Sequence, residues 1–296
     1  MIKFNRTVCF IFLLFFLIFL LFLANNIQRN FTLIISHNDC RLSREESDDF
    51  FCESDADWLR RKTVFALQHG RNKYRDSPYM FFQDNYEPTF SCRFEQRLGF
   101  NGDGGKWMCD ISYLKQTSSC LIYSLGSNGE FSFENETKLT FPHCDIHTFD
   151  MRAFNCTNIC TFHKEKIGDG IIPGTKSLPM LMSDLNQTGR KLEILKVDVE
   201  GSEYEFLEDL FSSSNDHLTG KIRQLLVEIH LGRIVKKVNN VTVYDYPRVH
   251  RLFELFHQKH FVIFHKEVNL YNPHNVFEFS LIRLNAKFFQ NQVENA

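Results

Sequence analysis

The sequence predicts an α/β domain: a mainly parallel sheet, layered with helices and closed at its carboxyl end by an antiparallel hairpin, preceded by an amino-terminal transmembrane helix. Three observations carry this. Short apolar runs recur after Cys120 with amphipathic stretches between them, two further runs near the end are separated only by a turn, and Val8 to Ala24 contain neither charge nor helix breaker.

The first run is CLIYSLG, Cys120 to Gly126; CDIHTFDM follows and reaches Asp150; LEILKVDVEG begins at Leu192, and IRQLLVEIH covers Ile222 to His230. Each is short and stops at a glycine, an acid or a histidine, as a strand buried on both faces does. Between them SEYEFLEDLF reads as a helix in which Ser202 and Glu205 form a capping box. VHRLFELFHQKH is a second amphipathic helix, with Leu252, Phe253, Leu255 and Phe256 on its apolar side. Strands alternating with helices pair in parallel. FVIFHKEVNL and NVFEFSLIRL, separated by Tyr271 to His274 with Asn-Pro at the turn, must instead be antiparallel. Upstream, Asp57 to His69 has helical spacing of Trp58, Val64, Phe65 and Leu67, and FEQRLGFNGDGGKWMCD is too glycine-rich to lie inside an element.

With 296 residues, 43% of them hydrophobic, the chain can bury one full-sized core. A formal net charge of -2 without blocks of like charge argues against nucleic acid as a partner. Residues 1–7 read as a cytosolic tail, 8–24 as a transmembrane signal anchor, 25–57 as a polar stem around RLSREESDD, 58–119 as a cap, 120–285 as the main domain and 286–296 as a tail. The apolar run would span about 25 Å of lipid bilayer as a helix. Lys3 and Arg6 precede it and Arg29 alone follows closely, which puts the amino terminus in the cytosol and the rest in the ER or Golgi lumen, as a single-pass type II protein. Cleavage and secretion is the alternative, opposed by the length of the run and by Phe22 at the would-be cleavage site.

Sequons at Asn30, Asn135, Asn155, Asn186 and Asn240 fit a luminal protein. Of nine cysteines Cys9 lies in the apolar run, which leaves eight. An even set in an oxidising compartment reads as up to four disulfides, with buried thiols as the alternative; no CxxC pair favours zinc.

Ligands of open α/β sheets sit beyond the carboxyl ends of the strands. The first strand is followed by Gly126-Ser127-Asn128-Gly129, where glycine admits a ligand close to the backbone, and the second ends in Asp150, where an adenosine-binding fold places the acid for the ribose hydroxyls. Asp198 and Glu200 end the third strand and Glu228 and His230 the fourth, each pair two apart and therefore on one face. If the strands are neighbours, three carboxylates and an imidazole converge, and such a cluster needs a cation, a cationic ligand or a shared proton. The four could flank a sulfonium and supply a general base to an acceptor hydroxyl, the reading favoured for the set. They could ligate Mg, Mn or Ca, although no dedicated loop is visible and no metal ligands are assigned. They could also cap helices and pair with Lys196 or Arg233. GDGGKW lacks the GxxxxGK[ST] spacing of a phosphate loop and is expected to form a lid or pocket wall, with Trp107 free to stack on adenine or substrate, or a cap held by a disulfide from Cys92 or Cys109. His163 is expected on a loop after the second strand.

VDVEGSEYEFL, with YSLGSNGEFSFE upstream and VEIH downstream, resembles the FkbM-type methyltransferases, and FQDNYEPTFSCRFEQRLGFNGDGGKWMCD is similar to the region preceding the domain in the family of methyltransferase-like protein 24. The resemblance covers Phe81 to Leu284. It implies a Rossmann-like class I domain using S-adenosylmethionine, with Tyr123, Ser124, Gly126, Ser127, Asn128, Gly129 and Glu134 around the methionine portion, Asp150 on the ribose and Asp198 facing the reacting centre. It also implies O-methylation of a small-molecule or glycan hydroxyl. One departure is that Ser124 stands where the usual E/D-x-G-x-G-x-G loop has its acid, with only Gly126 and Gly129 remaining. A catalytically inactive protein of the same fold, serving as a luminal binding module, is the alternative.

Overall fold

The computed structural model describes residues 40–69, 80–102, 104–231, 235–238 and 241–290. The expected membrane segment, the sequons at Asn30 and Asn240, and Arg233 lie outside these residues; among the described ones no helix is long and apolar enough to cross a membrane.

Helices α1 (Arg41–Glu46), α2 (Asp55–His69) and α3 (Phe81–Asp84) lead into a hairpin of β1 (Glu95–Leu98) and β2 (Lys106–Cys109), then α4 (Ile111–Gln116). Next come β3 (Leu121–Leu125), α5 (Ser132–Thr140), β4 (Asp145–Asp150), β5 (Thr161–Lys164), the short pair β6 (Lys166–Ile167) and β7 (Thr175–Lys176), and α6 (Leu178–Asp184). The chain continues through β8 (Leu192–Val197), α7 (Glu203–Leu210), α8 (Asp216–Thr219), β9 (Ile222–His230) and the pair β10 (Val235–Val238) and β11 (Val241–Tyr244). It ends with α9 (Tyr246–Gln258), β12 (Phe261–Val268), β13 (Val276–Arg283) and α10 (Ala286–Phe289).

Seven strands form the main sheet in the order β12-β13-β9-β8-β3-β4-β5. The five from β9 to β5 run parallel, whereas β13 is antiparallel to both its neighbours, so the expected hairpin inserts its second strand beside β9. The period of two sorts the core. Leu121, Tyr123, Leu125, Leu195, Val197, Leu225 and Val227 face one cluster, and Ile122, Ile194, Leu226, Val262 and Ile282 face the other.

Three expectations need correction. The stem is part of the domain from Cys40 onward: Cys40 and Cys52 form a disulfide, Phe50 and Phe51 are buried with Trp58 and Phe65, and the buried Arg223 donates to the carbonyls of Ser47 (2.6 Å) and Asp48 (2.9 Å). Its acids read as solvated yet are spent on partners, Glu46 accepting from Trp58 Nε1 and Lys62 Nζ, both at 2.6 Å. The tail likewise begins as helix α10, whose Phe288 is buried in that cluster. His163 lies on an edge strand, not a loop: β5 pairs with β4, and His163 stacks on Phe149 and shares a hydrogen bond of 2.9 Å with His147.

The eight cysteines form four disulfides, Cys40–Cys52, Cys92–Cys109, Cys120–Cys144 and Cys156–Cys160. Cys92–Cys109 braces the β1–β2 hairpin, and Cys156–Cys160 closes the loop between β4 and β5, beside the carboxyl rim of the sheet.

Candidate active site

The cleft opens where β3, β4 and β8 end. It encloses a cavity of about 600 Å³ lined among others by Gly104, Gly126, Ser127, Asn128, Asp150, Lys196, Asp198 and Glu200. Gly126 sits at the join of its two sides. With φ +81°, a Cβ there would lie 1.7 Å from the carbonyl oxygen of Asp198, so the turn out of β3 admits glycine only. Gly129 has φ +80°, and a Cβ there would press on the ring of Phe154.

On the β3–β4 side Asp150 organises the loop. Its Oδ2 accepts from the backbone N–H of Ser127 (3.1 Å) and Asn128 (2.9 Å), and its Oδ1 from that of Arg152 (2.8 Å). It thus holds the backbone that borders the cavity while lining the cavity itself; a carboxylate with about four acceptor positions can also take a hydroxyl.

Tyr123, Ser124 and Glu134 lie behind this surface, all fully buried and none among the cavity's lining residues. Tyr123 donates its hydroxyl to Gln187 Oε1 (2.5 Å), on the other face of β3. Ser124 donates to Glu134. Burial pushes the Glu134 carboxyl up, against the opposing pull of Lys196 and Ser124. These three, expected around the ligand, thus stand behind the cavity wall and support it.

On the other side Asp198 comes just past the end of β8, and Glu200 lies in the following turn at φ +56°, its side chain 67% exposed. They do not share a strand face, because the strand stops at Val197. Glu228 and His230 do belong to β9, the immediate neighbour of β8. The cation that such a cluster requires is Lys106, from β2. Its ammonium is buried, donates to Glu278 and to Asp198 Oδ2 (3.2 Å), and lies 3.6 Å from Glu228 Oε2. Lys196 donates to the Gly126 carbonyl at 2.7 Å and stands 3.9 Å from Asp198.

The electrostatics follow from this geometry. Burial alone would raise the pKa of Asp198, but Lys106, Lys196 and His230 outweigh it and hold the carboxylate below its ordinary range. Glu228 moves the other way, raised by burial and by the charges of Asp198 and Glu278. For Lys106, burial opposes the charge, yet Glu278, Asp198 and Glu228 together raise its pKa.

His230 forms a dyad with Glu203, which is completely buried; Nδ1 meets Glu203 Oε1 at 3.0 Å, and Nε2 faces Glu200 Oε2 at 3.5 Å. Burial lowers the pKa of this imidazole, but the hydrogen bond and charge of Glu203, with Asp198 and Glu200, raise it on balance. The same Glu203 oxygen accepts from the backbone N–H of Val199 (3.2 Å) and Gly201 (3.0 Å). This replaces the expected capping box, since Ser202 makes no side-chain cap.

Trp107 does not reach the cavity. It stacks on His265 with centroids 4.2 Å apart and donates to Glu267 Oε2 at 3.0 Å. Lys106, Glu203 and Glu278 are not legible as site residues in the sequence: Lys106 and Glu203 lie inside the GDGGKW and DVEGSE motifs, whereas Glu278, in mid-strand, carries no signal.

A family model described as a methyltransferase domain, Methyltransf_22, matches residues 41–283. No curated protein matches. Among solved structures, the chain is similar to the O-methyltransferase of a Brevibacillus brevis trans-AT PKS multienzyme in complex with S-adenosyl-L-homocysteine, at 11% identity and TM-score 0.34 over 58% of this chain and 70% of that one. It is also similar to magnesium protoporphyrin IX methyltransferase from Synechocystis with bound SAM, at 13% identity and TM-score 0.32 over 58% and 76%. The fibrillarin pre-rRNA processing protein of Methanococcus jannaschii aligns at 8% identity and TM-score 0.37 over 65% and 84%. Such distant likenesses say nothing about chemistry; the family model spans most of the chain, from Arg41 in the first helix to Arg283 at the end of the last strand of the sheet, and the chain belongs to the methyltransferase-domain family.

Proposed function

We propose that this chain transfers a methyl group from S-adenosylmethionine to a hydroxyl oxygen of a glycan or other small acceptor in the lumen of the secretory pathway. The observation that carries the reading is the single cavity where Gly126–Asn128, Asp150 and Asp198 meet at the strand ends. The residues fit the cofactor: side-chain-free backbone at Gly126, the ribose acid Asp150, apolar Phe149 and Ile167 beside it for the base, and the anionic Asp198 for a sulfonium. Bound there, the cofactor would supply an electrophilic methyl group.

The chain's own part is positioning and proton removal. Asp198, fixed by two lysines, presents one negative oxygen toward the cavity. His230 stands behind the cavity wall with Nδ1 tied to Glu203 and Nε2 3.5 Å from Glu200, which lines the cavity, so a proton taken from the acceptor by Glu200 can pass to the imidazole at Nε2. Four disulfides, three sequons on exposed asparagines (Asn135, Asn155 and Asn186) and the apolar run Val8 to Ala24 support the luminal, membrane-anchored reading.

Calorimetric titration of S-adenosylmethionine and S-adenosylhomocysteine into the wild-type protein and Asp198→Asn tests it. Micromolar binding, with the variant weakened for the sulfonium more than for the neutral homocysteine product, supports the assignment; absence of heat from folded wild type sinks it.

A further inference from the structure

Glu228 and Glu278 are register partners on β9 and β13, so their side chains stand side by side on one face, and Asp198 follows the next strand, β8. One oxygen from each of the three carboxyl groups lies within 4.8 Å of the others. Glu228 Oε2 and Glu278 Oε2 are buried and accept no hydrogen bond among the described residues. Convergent carboxyl oxygens are the donors a hard divalent ion takes, and three would supply part of its shell of six or more, with water completing it. In this chain their centre is filled by the Lys106 ammonium.

The lysine is delivered by a braced element. Arg97, on β1, donates to the carbonyls of Phe100 (3.1 Å), Gly105 (3.2 Å) and Gly102 and pairs with Glu267 at 2.8 Å, and Trp107 shares that Glu267. The turn through Gly104 that borders the cavity is therefore held at both ends. The geometry points to Lys106 as a tethered counter-cation that occupies the place of a divalent ion, a positioning residue that locks the β1–β2 hairpin to the carboxyl rim and fixes Asp198 toward the cavity. The positioning of Asp198 matters for catalysis only on the methyl-transfer reading above; the occupancy of the cluster by lysine stands independently. It makes the rim's charge balance intrinsic to the chain, so the site needs no metal to hold its acids together.

Thermal melts of the full chain test this, comparing wild type and Lys106→Ala in chelator and in millimolar Ca²⁺, Mn²⁺ or Mg²⁺. The wild-type midpoint should stay within about 1 °C, while Lys106→Ala should melt lower in chelator and rise saturably by roughly 5 °C with at least one ion. Should Lys106→Ala fail to fold, Lys106→Ala/Glu228→Gln, with one carboxyl group fewer, is subject to the same comparison. A saturable rise in wild type that Glu278→Gln removes would overturn the inference, and so would a folded lysine variant that responds to none of the ions. The melts contain no cofactor. Failure of S-adenosylhomocysteine to bind wild type would count against the proposed function and leave this result intact.

Discussion

The two sides of the cleft stabilise their acids by different means. Asp150 is held by three backbone N–H groups within two to twenty-three residues of it in sequence, whereas Asp198 is held by the ammonium of Lys106, ninety-two positions away. Backbone donors come with the turn that makes them and cannot be mutated away. The buried Lys106 ammonium is one cation shared by three carboxyl groups, and removing it deprives Glu278 of its ion pair and leaves Asp198 and Glu228 with weaker ones. The β3–β4 side should therefore tolerate substitution, and the β8–β9 side should not.

The sharpest test of that contrast is Lys106→Met, which fills the volume and deletes the charge. It should cost about 3–5 kcal/mol of stability, seen as an earlier midpoint in chemical denaturation. Gly126→Ala attacks the join between the two sides, forcing a Cβ onto the Asp198 carbonyl at a left-handed φ. It should cost about 3 kcal/mol by the same measurement and weaken cofactor binding with it. Glu203→Gln keeps the shape but removes the charge that raises the pKa of His230. Because the base must be neutral to work, the wild-type rate should fall as pH drops through that raised pKa. The variant's limb should move to lower pH, and its maximal rate should fall about tenfold from loosened positioning. Asp150→Asn, on the locally built side, should lose only about 1 kcal/mol of stability, since an amide oxygen still accepts from part of the loop; if it costs more than Lys106→Met, the contrast is wrong.

A separate effect, seen only in acid, concerns two histidine groups remote from the chemistry. His147, burdened by burial and by His163, and His257, by burial and by its stacking partner His69, are both lowered to about 4. A histidine whose folded pKa is depressed stabilises the fold fully above its unfolded value of about 6.5, and that contribution is lost as pH falls toward 4. The melting temperature should accordingly be level above pH 7 and decline below pH 6, and His257→Asn should flatten part of the decline.

Much of this architecture is legible without coordinates. The four parallel apolar runs, the closing hairpin and the placement of glycine or acid at strand ends follow from short-range pattern, because strand period and turn chemistry are properties of neighbouring residues. So Gly126, Asp150, Asp198, Glu228 and His230 could be placed at one rim from sequence, and the need there for a cation, a cationic ligand or a shared proton could be stated. Which residue supplies it could not, because Lys106 meets Glu278 across 172 positions and nothing periodic links them. The same reason hid the stem: RLSREESDD looks solvated until Arg223, Lys62 and Trp58 arrive from elsewhere to satisfy it. Tyr123, Ser124 and Glu134 stand behind the cavity wall, which the pattern does not reveal, because it tells which face of a strand a residue occupies but not whether that face borders a cavity or packed side chains. The sequence alone determined the class of sheet and where its chemistry must sit, since those depend on local periodicity. Only the tertiary structure decided how the charges at that site are balanced, since electrostatic pairing depends on distance in space and not on separation along the chain.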